Sequence, residues 1–100
     1  MGMEYRLEPL EDAWSIAPYE CRTMLCSLPG YAGIRTTDEA FEFRGVDRTE
    51  GLPDLEARIE PAGIYLCDWG GDRALVQRVV GAIVLYCTVR LEHGVRLVSL

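Results

Sequence analysis

The feature that most constrains this chain is an uncharged run of eleven residues, Val79 to Val89, held between Arg78 and Arg90. It is about half of the roughly 20 apolar residues that a helix needs to cross a bilayer. The run must therefore be buried by protein, and no membrane partner is expected. Upstream, Gly70-Gly71-Asp72 reads as a break followed by a helix N-cap, and Leu75, Val76, Val79, Ile83, Tyr86 and Cys87 recur at helical spacing.

Two readings of its end compete. In one the helix continues to Arg90 or Leu91, Gly94 is the C′ residue in a left-handed conformation, and a last strand covers 95–100. In the other the helix stops near Gly81, and two strands flank a Glu92-His93-Gly94 loop. The hairpin suits the β-branched content but sets Arg90 opposite Arg96, like charges that repel. The long helix is preferred. Hydrophobic nearly all round, it needs cover on both sides, and the one other helix is short. A homodimer, buried along this helix or at a sheet edge, is the expected partner arrangement.

The remaining elements follow from periodicity. Tyr5 and Leu7 alternate with Glu4, Arg6 and Glu8, predicting a half-buried strand over 3–8 that ends at Pro9. Pro18 is welcome only in a first turn, so a helix starts at Ala17 or Pro18, with Cys21, Met24, Leu25 and Leu28 on its apolar face and Pro29-Gly30 as its stop. Ile34 and Thr36 precede a Thr37-Asp38-Glu39 turn, and Phe41 and Phe43 alternate with Glu42 and Arg44. Gly45 to Pro53 is a polar loop. Leu55, Ala57 and Ile59 then alternate with acids and Arg58 up to the Pro61-Ala62-Gly63 turn. The apolar run from Ile64 to Cys67 is expected of a strand covered on both faces.

The expected fold is one α+β domain over 1–100: a single-layer, mostly antiparallel sheet with two helices on one face, an elaborated split β-α-β, ferredoxin-like, arrangement. Such a topology carries almost no functional weight.

Charge and composition narrow the chemistry. Sixteen Asp and Glu face ten Arg, for a net charge of -6, and there is no Lys or Asn. That removes Schiff-base and P-loop lysines and Asn-linked glycosylation; codon bias accounts for the gap. The single His93 excludes a two-His metal site within one chain, and no metal or cofactor is expected. Residues 1–60 carry thirteen acids against six arginines, and 61–100 three against four. Arginines interleaved with acids do not make a nucleic-acid surface. Cys21 and Cys26 would point about 140° apart on a helix, no C-x-x-C occurs, and Cys67 and Cys87 sit in apolar runs. The thiols read as buried and reduced. With no basic and apolar start of a secretory signal in Met1 to Tyr5, a cytoplasmic, bacterial-type protein is expected.

Candidate sites are few. The stretch Asp68-Trp69-Gly70-Gly71-Asp72-Arg73 resembles an anion-binding turn, but its two carboxylates would repel phosphate and Asp72 serves as a cap, so a structural strand-to-helix turn is the simpler reading, with cation or sugar recognition as its rival. His93 beside Glu92 is a conceivable base if it approaches Asp68, yet Ser15, Ser27 and Ser99 lack a nucleophile context. Trp14, Tyr19 and Trp69 offer an aromatic wall for a ligand or partner. Phe41 and Phe43 lack the glycine-aromatic pattern of RNA-recognition sheets.

Two functional classes remain. The first is a small acidic, noncatalytic, dimeric interaction protein that binds another, basic protein, such as a toxin or nuclease, by charge complementarity. The second is a small-ligand domain or minor enzyme with a pocket formed by Tyr65, Asp68, Trp69 and His93, using carboxylate chemistry.

Overall fold

In the computed structural model, which describes residues 2–11, 13–47 and 50–100, the early alternation forms strand β1 (Met3–Pro9). Helix α1 (Pro18–Cys26) begins with Pro18 in its first turn after the extended Ala17, and buries Cys21, Met24 and Leu25. Four strands follow as a meander: β2 (Tyr31–Ile34), β3 (Phe41–Phe43), β4 (Leu55–Glu60) and β5 (Gly63–Asp68). Thr36 lies in the turn and not in β2. Asp72 caps helix α2 (Arg73–Arg90), its side chain accepting the Leu75 N–H at 3.1 Å. The long-helix reading thus holds for the apolar run. Gly94 has a left-handed φ of 82°, three residues beyond the cap at Leu91, and leads into β6 (Val95–Ser99).

The sheet has six strands in the order β2-β3-β4-β5-β1-β6, every neighbouring pair antiparallel. This α+β sheet with two helices does not have the typical ferredoxin-like strand order. The pairing makes β5 and β6 run the same way with β1 between them, as a split β-α-β unit requires. The α1 connection, however, joins β1 to β2 across β5, β4 and β3. Four meander strands, where the simpler arrangement has two, push β2 to the far edge.

Register decides which residues meet the helices. Tyr5, Leu66, Ala57 and Phe41 stand in one row across the sheet, and Leu7, Ile64 and Ile59 in the next. They share one face, where Leu7, Phe41, Phe43, Leu55, Ile64 and Leu66 pack with Cys21 and Leu25 of α1 and Val76, Val79, Ile83 and Cys87 of α2. The helices bury only that face of themselves. Leu85 and Val89 on α2 remain 66% and 75% exposed. No helix among the described residues is long and apolar enough to cross a membrane.

Candidate functional site

The other face of the sheet carries no helix, yet its centre is buried. Glu42, Glu56, Cys67 and Glu4 form one cross-strand row, and Arg58, Tyr65, Arg6 and Val98 the next. Glu56 is 5% exposed, Tyr65 7% and Cys67 2%. Neighbouring side chains do the covering. Arg58 lays its guanidinium over the Tyr65 ring, 4.2 Å from the centroid, a cation-π contact. The Trp69 indole N–H donates to Glu56 Oε1 at 2.8 Å, and the Tyr65 hydroxyl donates to Glu4.

Adjacent glutamates in one row would repel. Arg35 relieves this by meeting Glu42 at 3.3 Å, Glu56, and Asp38 through two bonds of 2.7 and 2.8 Å. The Arg35 hydrogen bond holds the Asp38 carboxyl down to about 2. Arg44 joins Glu42 to the Gly51 carbonyl, and Arg6 and Arg96 pair with Glu60 and Glu8. Six acids here, Glu4, Glu8, Asp38, Glu42, Glu56 and Glu60, are therefore balanced against five arginines, Arg6, Arg35, Arg44, Arg58 and Arg96. The acidity of the first sixty residues does not lie on the broad sheet face.

A smaller group of carboxylates lies at one end. Asp47, Asp54 and Asp72, with Gly45 and Gly71, line a hollow of about 370 Å³ where the loop after β3 meets the turn before α2. Asp54 is buried, accepting Gly45 N–H at 2.6 Å and Asp72 N–H at 2.8 Å. Asp47, Glu50 and Asp72 have no arginine partner among the described residues. In the Gly70-Gly71-Asp72 turn the Asp72 side chain caps α2, accepting the Leu75 N–H. No three His, Cys, Asp or Glu side chains among the described residues converge as metal ligands.

A larger cleft, about 610 Å³, opens where Trp14, Ile16 and Pro18 approach Phe41, Arg58 and Ile59. Arg22 also lines it, with Asp38, Glu39 and Glu60. The Nε of Arg58 is buried without a hydrogen-bond partner.

The proposed pocket of Tyr65, Asp68, Trp69 and His93 is not assembled. Tyr65 and Trp69 belong to the uncovered face. Asp68 ends β5, accepts Gly70 N–H at 2.8 Å and pairs with Arg73 at the start of α2. His93 lies past the other end of that helix, about 27 Å away along an 18-residue rise, where it meets Glu11 at 3.6 Å. Phe41 and Phe43 point into the core. Trp14 lines the cleft, whereas Tyr19 is exposed. Cys21, Cys67 and Cys87 are buried, and burial raises all three thiols, Cys87 to about 12. Cys26 departs from the expectation by being exposed.

Sequence reasoning missed Glu4, Arg35, Glu56 and Arg58. Each occupies the polar position of an alternating strand or its flank, which reads as solvent-facing. Only the register of four strands shows that they bury one another. No protein-family model, no curated protein and no solved structure matches this chain.

Proposed function

We propose that the chain is a noncatalytic interaction protein whose partner presents a basic surface. The observation that carries this reading is the acidic hollow at one end: Asp47, Asp54 and Asp72 line it, and Asp47 and Asp72 have no arginine partner among the described residues, while the acids of the sheet face are matched by arginines. A localised negative potential steers and orients a positive partner more than it adds raw affinity. The groups that could perform chemistry have other occupations. Three thiols are buried, His93 is far from Asp68, and the buried carboxylates Asp54, Glu56 and Asp68 each hold donors. A homodimer in a cytoplasmic setting belongs to the same reading.

Binding of polylysine and of a folded basic protein, followed by titration calorimetry at two salt concentrations, tests it. Asp47→Asn should weaken binding, and Glu92→Gln, at the opposite end, should leave it unchanged. Equal weakening by both would mean diffuse attraction and remove the reading.

A second reading has one observation in its favour. Arg58, whose buried Nε has no hydrogen-bond partner, lines the 610 Å³ cleft together with Trp14, Phe41 and Ile59, and a cation beside apolar walls suits a small ligand that joins a carboxylate to an apolar group. Thermal shift against aromatic and aliphatic carboxylates tests this, with Arg58→Gln expected to abolish any stabilisation.

A further inference from the structure

The two edges of the sheet are unlike. At β2 the edge is four residues long, with a register shift between Tyr31 and Gly33. Short length and a bulge are devices that prevent edge pairing. The β6 edge, Val95-Arg96-Leu97-Val98-Ser99, has no Pro, no Gly and no bulge, and its five residues pair in unbroken register with β1. Its one charge, Arg96, is engaged with Glu8.

Which backbone groups face outward is fixed by the ladder. Leu10 N–H donates to the Gly94 carbonyl at 3.1 Å, and Leu100 N–H to the Glu4 carbonyl at 3.0 Å. Inward pairing alternates in an antiparallel ladder. Arg96 and Val98 therefore turn their N–H and C=O groups to β1, while Val95, Leu97 and Ser99 turn theirs to the open edge. Beside this edge, on the helix face, a groove of about 360 Å³ runs between α2 and β6, lined in part by Val76, Val80, Gly81 and Leu97. Leu97 is 43% exposed.

We propose that β6 pairs antiparallel with β6 of a second copy of this chain, about a twofold axis at Leu97. In that register Leu97 faces the partner's Leu97, and Val95 faces the partner's Ser99. All six outward donors and all six outward acceptors near the axis are then used in six interchain hydrogen bonds. Arg96 stands opposite the partner's Val98, so no like charges meet, and Leu100 stands opposite the partner's Gly94, which has no side chain to obstruct it. Centring the pair on Arg96 instead would oppose two arginines and lose the Ser99 bonds. The two sheets become one of twelve strands with the helices on a single face, and the two Leu97 side chains meet between the two grooves, which removes apolar surface from water. The proposal deepens the dimer element of the reading above and is independent of the basic partner.

Sedimentation at about 100 μM, which detects dissociation constants into the micromolar range, should give a dimer. Amide exchange read by NMR should show Val95, Leu97 and Ser99 slowed about ten-fold or more relative to a dilute sample. Leu97→Pro deletes an outward N–H without touching the β1 ladder, and should weaken association at least about ten-fold; Val89→Glu on the exposed side of α2 should not. A strict monomer overturns the proposal. So does a dimer whose Val95, Leu97 and Ser99 amides exchange like those of exposed loops, a readout that stands even if Leu97→Pro fails to fold. Loss of binding to basic proteins, with the dimer intact, would count against the partner reading alone.

Discussion

Asp54 Oδ1 accepts the backbone N–H of Asp72 at 2.8 Å, so a carboxylate on the loop before β4 holds the turn that starts α2. Its other oxygen takes Gly45 N–H at 2.6 Å, and the Trp69 N–H donates to the Asp54 carbonyl at 3.1 Å. The residue is 1% exposed. Replacing it by alanine strands two N–H groups away from water, which costs about 1–3 kcal/mol for each. Asp54→Ala is expected to lose about 3 kcal/mol in denaturant unfolding, and Asp54→Asn, which keeps one acceptor, clearly less. Equal losses would mean that the one acceptor Asn retains contributes nothing measurable, and would overturn the assignment of a separate hydrogen bond to each carboxylate oxygen.

Gly71 is small because of the same carboxylate. A Cβ at this position would lie 1.6 Å from Asp54 Oδ1 and 2.6 Å from its Cγ. Asp54 cannot yield without losing its bonds to Gly45 and Asp72. Gly71→Ala should therefore destabilise by an overpacking cost of about 1–3 kcal/mol, although its backbone conformation is open to any residue. In Asp54→Ala the obstacle is gone, so the second substitution should cost much less there than in the native background. Additive effects in this double-mutant cycle would show that the two positions do not interact.

Local signals and long-range ones differ in how far the sequence displayed them. Asp72 as cap, Pro18 in a first turn and the alternation of Leu55, Ala57 and Ile59 depend on residues a few positions apart, and the elements follow them closely. Asp54 is different. Its partners are nine and eighteen residues away, and nothing near it in the chain marks a buried carboxylate. Glu56 reads as a solvent-facing acid between Leu55 and Ala57; its burial depends on Trp69 and Arg35, from other parts of the chain. The strand order escapes a local reading for the same reason, since hairpin signals pair β2 to β5 with one another but do not say that β1 adds beside β5. His93 and Asp68 looked compatible with one pocket only until the length of α2 separated them.

The thiols give a direct readout of the core. Cys21, Cys67 and Cys87 are buried and Cys26 is exposed, with no disulfide among them. The thiolate is the reactive form, and burial raises Cys21, Cys67 and Cys87, Cys87 to about 12. A colorimetric thiol reagent at pH 8 should therefore modify one cysteine rapidly in the native protein and all four after unfolding. Cys26→Ser should abolish the fast phase. A fast phase that survives this change, or one of more than a single equivalent, would place another thiol at the surface.

Glu20 ties the two helices together, accepting hydrogen bonds from Arg90 and from the Tyr86 hydroxyl. The Arg90 bond, and after it the Tyr86 bond, hold the Glu20 carboxyl down to about 2. An unfolded Glu titrates near 4.3, so the native state binds a proton less readily than the unfolded chain. Its contribution is fully present above about pH 4.3 and is lost as pH falls towards 2. The pair is solvent-accessible, so salt should screen it. Stability measured by urea unfolding from pH 5 down to 2 should fall less steeply in Glu20→Gln than in the native protein, with the two curves converging at the acid end and diverging most at low ionic strength. Asp38, held down by Arg35 in both proteins, should leave a residual slope that Asp38→Asn removes in turn. Parallel curves for Glu20→Gln and the native chain would show that the carboxylate between α1 and α2 carries no folding-linked proton.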